Sequence, residues 1–354
     1  MKGRVHIFIL LALSFIYGSC GKDKQETVWE TETNLTNYVD QYIGTGGHGH
    51  VFMGANVPFG LVQLGPTSIP QTWDWCSGYH ISDTTIIGFS HTHLSGTGIG
   101  DLSDIVLMPV VGKVMHDRGR ENEPASGLWS YFSRESERKK PGYYAVHLDR
   151  YNVDVELTAT PRVGFHKYTF PNIQDTRVVI DLENGTGWDK TVRAFIVLEN
   201  DTVVSGYRYS TGWAKDQRIC FTIKFSKPIK KFRAFEKNDE IESYHLAGEQ
   251  VYADLAFDMK AGESLYAKVA LSPVSVENAK KNMDAELRGW DFDRTIAEAN
   301  IAWDKELRKI KIETEDEAIK RVFYTAMYHT MIAPSVFCDV NRDYLGADKE
   351  VYTD

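Results

Sequence analysis

Five of the chain's eleven histidines fall within one short stretch: His48, His50, His80, His91 and His93. They share it with Trp73, Trp75 and three glycine-dense turns. Such a mixture could hold a metal, contact a sugar, or simply brace loops through hydrogen bonds to backbone groups. His48-Gly49-His50 and His91-Thr92-His93 are i, i+2 pairs, which share a face on a strand and could bind a metal together. A cupin-like site wants a glutamate soon after the pair. None occurs between His93 and Glu121, where the acids are Asp101, Asp104 and Asp117.

Trp73-Asp74-Trp75-Cys76-Ser77-Gly78-Tyr79-His80 suits carbohydrate, because aromatic faces stack on the C–H faces of pyranose rings while polar neighbours take hydroxyls. A core tryptophan beside a turn would read the same way. Gly44-Thr45-Gly46-Gly47-His48-Gly49 has G-x-G-x-x-G spacing. A dinucleotide site needs a helix next, and Gly54, Pro58 and Gly60 follow instead, so that reading is rejected.

The elements that must position these residues are mostly strands. Val153, Val155, Leu157 and Ala159 alternate with polar residues, as do Ile219–Phe225, Val251–Phe257 and Leu265–Leu271. Period two marks strands with one buried face. Turn signals separate them at Lys140-Pro141-Gly142, Asn184-Gly185, Lys237-Asn238-Asp239 and Ala261-Gly262. Residues 38–272 are therefore expected to form an antiparallel β-sandwich, and the chain to be mainly β.

The pattern turns helical after Pro273. Over the linker 273–313, Ser275 is placed to cap one helix, ended by Gly289, and Asp293 another. At 314–354, Thr314-Glu315-Asp316-Glu317 reads as a capping box opening a helix whose apolar face is Ile319, Val322, Phe323, Ala326 and Met327. That face has few evident partners, so aggregation or oligomerisation is expected, relieved by truncation near residue 272.

The N-terminus carries an export signal. Lys2 and Arg4 precede an apolar run, Ile7 to Ile16, and small residues then lead to Cys20. Residues 1–20 read as a lipoprotein signal peptide with Cys20 as the acylated residue, and residues 21–37 as a polar tether. The expected location is a bacterial membrane surface, periplasmic or external. The formal charge is −9, and losing Lys2 and Arg4 makes it more negative, which argues against nucleic acid as a partner. Besides Cys20 there are three cysteines, too few for a disulfide scaffold.

Taken together, several segments resemble glycoside hydrolase family 92. They are Tyr42 to His50, Gly54 to Leu64, Trp73 to His80, Gly88 to Gly98, Asp104-Ile105 with Leu107-Met108-Pro109, and Phe323 to His329. The resemblance implies an exo-acting, calcium-dependent, inverting α-mannosidase acting on mannose-containing glycans, with a sandwich beside an (α/α)6 barrel. It implies Gly46, Gly47, Trp73, Trp75, Cys76 and His80 as sugar-site residues, with His91 and His93 supporting them. It also implies that this chain holds only the first barrel helix. The acid, the base and most calcium ligands are then expected elsewhere, in a fragmented, frameshifted or separately encoded half, leaving this chain inactive alone. Two other readings stay open: a stand-alone carbohydrate-binding sandwich, and a metal enzyme built on the HxH pairs.

Overall fold

A computed structural model describes residues 34–69, 71–113, 115–120, 123, 126–170, 175–185 and 188–354. Cys20 and the signal segment lie outside the described residues. Two antiparallel sheets dominate. The first has seven strands, in the spatial order Gly65–Thr67, Gly88–Ser90, Val106–Val111, Thr176–Asp181, Val251–Phe257, Ile229–Glu236 and Asp239–Ile241. The second has nine: His245–Gly248, Lys190–Asn200, Val203–Thr211, Gln217–Phe225, Ser264–Ser272, Val163–Thr169, Val153–Ala159, Tyr143–Leu148 and Arg138–Lys140.

The alternating apolar residues of both sheets meet in one core. Val178, Ile180 and Leu255 come from the first sheet, and Val155, Leu157, Ile223, Leu265 and Val269 from the second. The sandwich is thus as the period-two pattern requires. Asn184-Gly185 is not a hairpin turn. It follows Asp181, whose carboxylate accepts from the amides of Glu183 and Asn184, where the chain leaves one sheet for the other.

Three helices follow: α1 (Val276–Glu286), α2 (Phe292–Leu307) and α3 (Glu317–His329). Ser275 caps α1 by accepting from the Asn278 amide. The other two caps differ from expectation. Asp291, not Asp293, caps α2. Asp316, not Thr314, caps α3, accepting from the amides of both Ala318 and Ile319. A carboxylate at the positive end of the helix dipole satisfies two amides there, and Thr314 instead accepts from the Asp316 amide. Helix α1 ends at Glu286 with Leu287 as its C-cap, before Gly289.

The helices are not free of the sandwich. Met283, Leu287, Phe292 and Ile296 pack on Tyr143, Ala145, Val163, Phe165 and Ala270, which lie on the outer face of the nine-stranded sheet. Buried Lys268 donates to the Leu287 carbonyl at 2.9 Å and so ties the end of α1 to that sheet. Helix α3 buries Tyr324, Thr325 and Tyr328; of the stripe read from sequence, Phe323 and Met327 pack partly buried against the same cluster, while Ile319 is 53% and Val322 60% exposed. Tyr324 and Tyr328 join Phe52, Trp303 and Leu307 in a second cluster.

Within the span 21–37 expected as a tether, residues 34–37 are described and pack on the helices. Asn34 caps a 3-10 turn, Leu35–Tyr38, and bonds to Asn300. The Leu35 amide donates to Asp304 at 2.8 Å. Cys76, Cys220 and Cys338 are all free. Among the described residues no helix is long and apolar enough to cross a membrane.

Candidate functional site

The glycine and tryptophan segments form two facing 3-10 turns, Gly47–Gly49 and Trp73–Trp75. Glycine is needed at position 49, because a Cβ there would lie 2.0 Å from the Gly44 carbonyl oxygen. Gly98 lies against the Trp73 ring, where a Cβ would meet Cζ2 at 2.5 Å. Gly46 and Gly47 open the first turn, and Gly47 takes a left-handed φ of 53°.

The two indoles have different surroundings. Trp73 is 46% exposed, donates from Nε1 to the Gly98 carbonyl at 2.9 Å, and packs on the rings of His48 and His50. Trp75 is half-buried and donates to Asp83 at 2.5 Å, with its ring over His80. His80 Nδ1 bonds to Ser82, and burial lowers its pKa. Cys76 is buried with Sγ toward the Thr97 carbonyl, and burial pushes its thiol up to about 11. A thiol that stays protonated is no nucleophile.

His91 and His93 lie deeper. The Ile105 carbonyl can only accept, so His91 Nδ1 carries the proton in that 2.6 Å bond. His91 Nε2 then accepts from His166 Nε2 at 2.8 Å, and His166 Nδ1 accepts from the Tyr168 hydroxyl. Burial lowers the pKa of both imidazoles, that of His91 to about 3, so the chain is neutral. His93 donates to the Gln63 carbonyl and accepts from Ser90, and burial lowers its pKa to about 4. The two rings enter separate bonds and do not converge on a shared ligand, which removes the metal reading of this pair. They brace the sheet edge beneath the turns.

Two buried carboxylates fasten the site. Glu137 accepts from the hydroxyls of Tyr42, Tyr79 and Tyr144 and from Arg134, joining both turn segments to a strand. Asp83 accepts from Ser68, Trp75 and the His80 amide. Neither was singled out from sequence, where a lone acid in a loop carries no signal of burial.

Burial raises the Asp83 pKa to about 6, against an ordinary value near 3.9. Between those values the folded state keeps a proton that the unfolded state releases, so stability falls as pH rises from about 4 to about 6. The whole effect is on the order of 3 kcal/mol. Asp83→Asn should flatten that part of the stability–pH curve, measured by denaturant unfolding of both proteins. Parallel curves would show that Asp83 does not titrate there.

The remaining nearby acids are engaged. Asp104 pairs with buried Arg208 at 2.5 Å, and Asp101 accepts from the Trp213 and Ala214 amides. Asp74 bonds to His48 at 2.5 Å, and that bond is the largest cause lowering its pKa. Calcium takes six to eight oxygen ligands. Among the described residues the one convergence of three imidazole, thiol or carboxylate ligand atoms is His48, His50 and Asp74, a nitrogen-rich set. Among the described residues, that set does not suit calcium.

The chain is thus an antiparallel sandwich with aromatic turns beside it, followed by helices that pack on its outer face. Residues 38–272 match the glycosyl hydrolase family 92 N-terminal domain and residues 278–354 the family 92 catalytic domain, and the chain belongs to this family. It is similar to a family GH92 α-mannosidase from Bacteroides thetaiotaomicron, solved in complex with mannoimidazole. The identity is 34%, the TM-score 0.87, and the match covers 91% of this chain and 43% of that one. An inverting GH92 mannosidase from the same organism, 24% identical, shares the fold at a TM-score of 0.79 over 92% of this chain and 44% of that one. An uncharacterized secreted glycosidase of Arthroderma benhamiae is 25% identical over 91% of this chain and 44% of its own length. The chain thus spans less than half the length of these relatives.

Proposed function

We propose that this chain is the sugar-positioning part of an exo-acting, inverting α-mannosidase that removes α-linked mannose from glycans outside the cytoplasm. The observation that carries the proposal is the exposed Trp73 ring, fixed on Gly98 beside Gly46, Gly47 and two imidazoles in a chain of family 92. The similarity to a structure solved with mannoimidazole supports it. Trp73 offers a stacking face, and the turn backbone lets a ring approach closely. Trp75, with His80 against its ring, and Cys76 follow on the same turn. Export and anchoring through Cys20 belong to the same reading, as does action together with the carboxylates of a helical catalytic half. The proposal assigns calcium no ligand among the residues described.

Inverting hydrolysis needs a proton donor to the leaving oxygen and a base for water, about 6.5–9.5 Å apart. Asp101 and Asp104 are spent on a turn and on Arg208, and Asp74 on His48. The purified 354-residue chain should therefore hydrolyse neither an aryl α-mannoside nor mannobiose, with calcium present or absent. Calcium-dependent turnover abolished by chelation would show a catalytic pair within these residues.

A further inference from the structure

We propose that His48, His50 and Asp74 form a binding site for a divalent transition-metal ion of the zinc class, beside Trp73. One ligand atom from each of the three residues lies within 4.8 Å of the others, and His48 Nδ1 and His50 Nε2 both meet Asp74 Oδ1. Bonds of about 2.0–2.1 Å at tetrahedral angles set ligand atoms roughly 3.3 Å apart. His50 Nε2 already stands 3.4 Å from Asp74 Oδ1. His48 Nδ1 is closer, at 2.5 Å, and must open by under 1 Å; its side chain is 74% exposed and free to do so.

The backbone is committed to this convergence. His50 sits in the left-handed region at φ 53° and ψ 38°, a conformation costly for a residue with a Cβ. Trp73 packs against both imidazoles, with ring centroids 5.1 and 4.3 Å away, and its own Nε1–H bond to Gly98 fixes it. The buried His50 ring is thus held near the binding geometry before any ion arrives, and exposed His48 adjusts to it. Two imidazole nitrogens and one carboxylate suit zinc, iron(II) or manganese; calcium and magnesium prefer all-oxygen cages. Three protein ligands leave a position open for water or another donor. In sequence the carboxylate was sought after His93, whereas it comes from the neighbouring turn and serves the other histidine pair.

The test uses the full chain, stripped with chelator and titrated with Zn²⁺ by calorimetry, then with Co²⁺ followed by its visible absorption. One equivalent should bind. His48→Ala, His50→Ala and Asp74→Asn should each weaken binding by more than the about 10–100-fold typical of losing an outer partner. Excess Ca²⁺ should not displace Zn²⁺. His48→Ala alters an exposed side chain, so its folding serves as the control. Absence of stoichiometric binding would overturn the proposal, as would affinity unchanged in His48→Ala and Asp74→Asn, or displacement by equimolar Ca²⁺. No saccharide is involved, so failure here leaves the glycosidase reading intact.

Discussion

A chain ending at Ser272 should fail to fold stably, reversing the expectation that truncation near residue 272 would leave a cleaner sandwich. The cut removes Met283, Leu287, Phe292 and Ile296 from Val163, Phe165 and Ala270, and so bares the outer face of the nine-stranded sheet. Each large side chain so buried is worth about 1.5–3 kcal/mol, against a total stability of about 5–15 kcal/mol for a typical domain. Polar ties go with them. Asn282 no longer donates to the Leu271 carbonyl, Lys268 loses its acceptor at Leu287, and Arg162 loses Glu286. Purified truncated protein should be insoluble or melt many degrees below the full chain. A melting temperature within a few degrees would mean that the helices dock without stabilising the sandwich.

Glu137→Ala should be the most damaging single substitution near the site. The carboxylate is buried and takes the hydroxyls of Tyr79 and Tyr144, which are themselves enclosed. Burial, and after it the Glu137 charge, raises the pKa of both tyrosines, so they remain donors at any ordinary pH. Removing it strands those hydroxyls and takes the carboxylate from Arg134. Arg134 keeps access to water at 32% side-chain exposure, so the cost lies mainly in the stranded buried hydroxyls, about 1–3 kcal/mol each, read by urea unfolding. Glu137→Gln keeps an acceptor and should cost less. A loss below about 1 kcal/mol for the alanine variant would mean that water replaces the carboxylate.

These two effects mark where sequence reasoning reached its limit. The inward alternation of Val153 to Ala159 and Leu265 to Leu271 was legible because one face meets the other sheet. The outer cover was not, although the unbroken apolar stretch Tyr143-Tyr144-Ala145-Val146 is what a strand buried on both faces looks like. Capping residues were legible by type and missed by two positions at α2 and α3, because several acids near each helix start could serve. The α3 stripe at Ile319 and Val322 was read correctly as apolar. Yet the face that docks carries Tyr324 and Tyr328, whose polar tips concealed it: Tyr328 accepts from Gln41 and donates to Asn56. Within the site, the residue types were legible and the partnerships were not. His91 with His166 and His48 with Asp74 are contacts made by folding across 75 and 26 positions. Trp73 and Trp75 lie on a 3-10 turn rather than a strand, so i, i+2 spacing could not assign their faces.

The central claim is that the Trp73 turn is the saccharide-facing surface of this chain, and the indole N–H resonances test it most directly. In protein labelled at tryptophan, titration with methyl α-mannoside should shift the Trp73 indole signal progressively, with Trp75 responding through its contact with His80. Trp290, half-buried beneath Lys268 on the outer face of the nine-stranded sheet, should not move. Trp73→Ala should abolish the response while leaving the remaining indole signals in place. Shifts confined to other tryptophans, or an unchanged response in Trp73→Ala, would contradict the account.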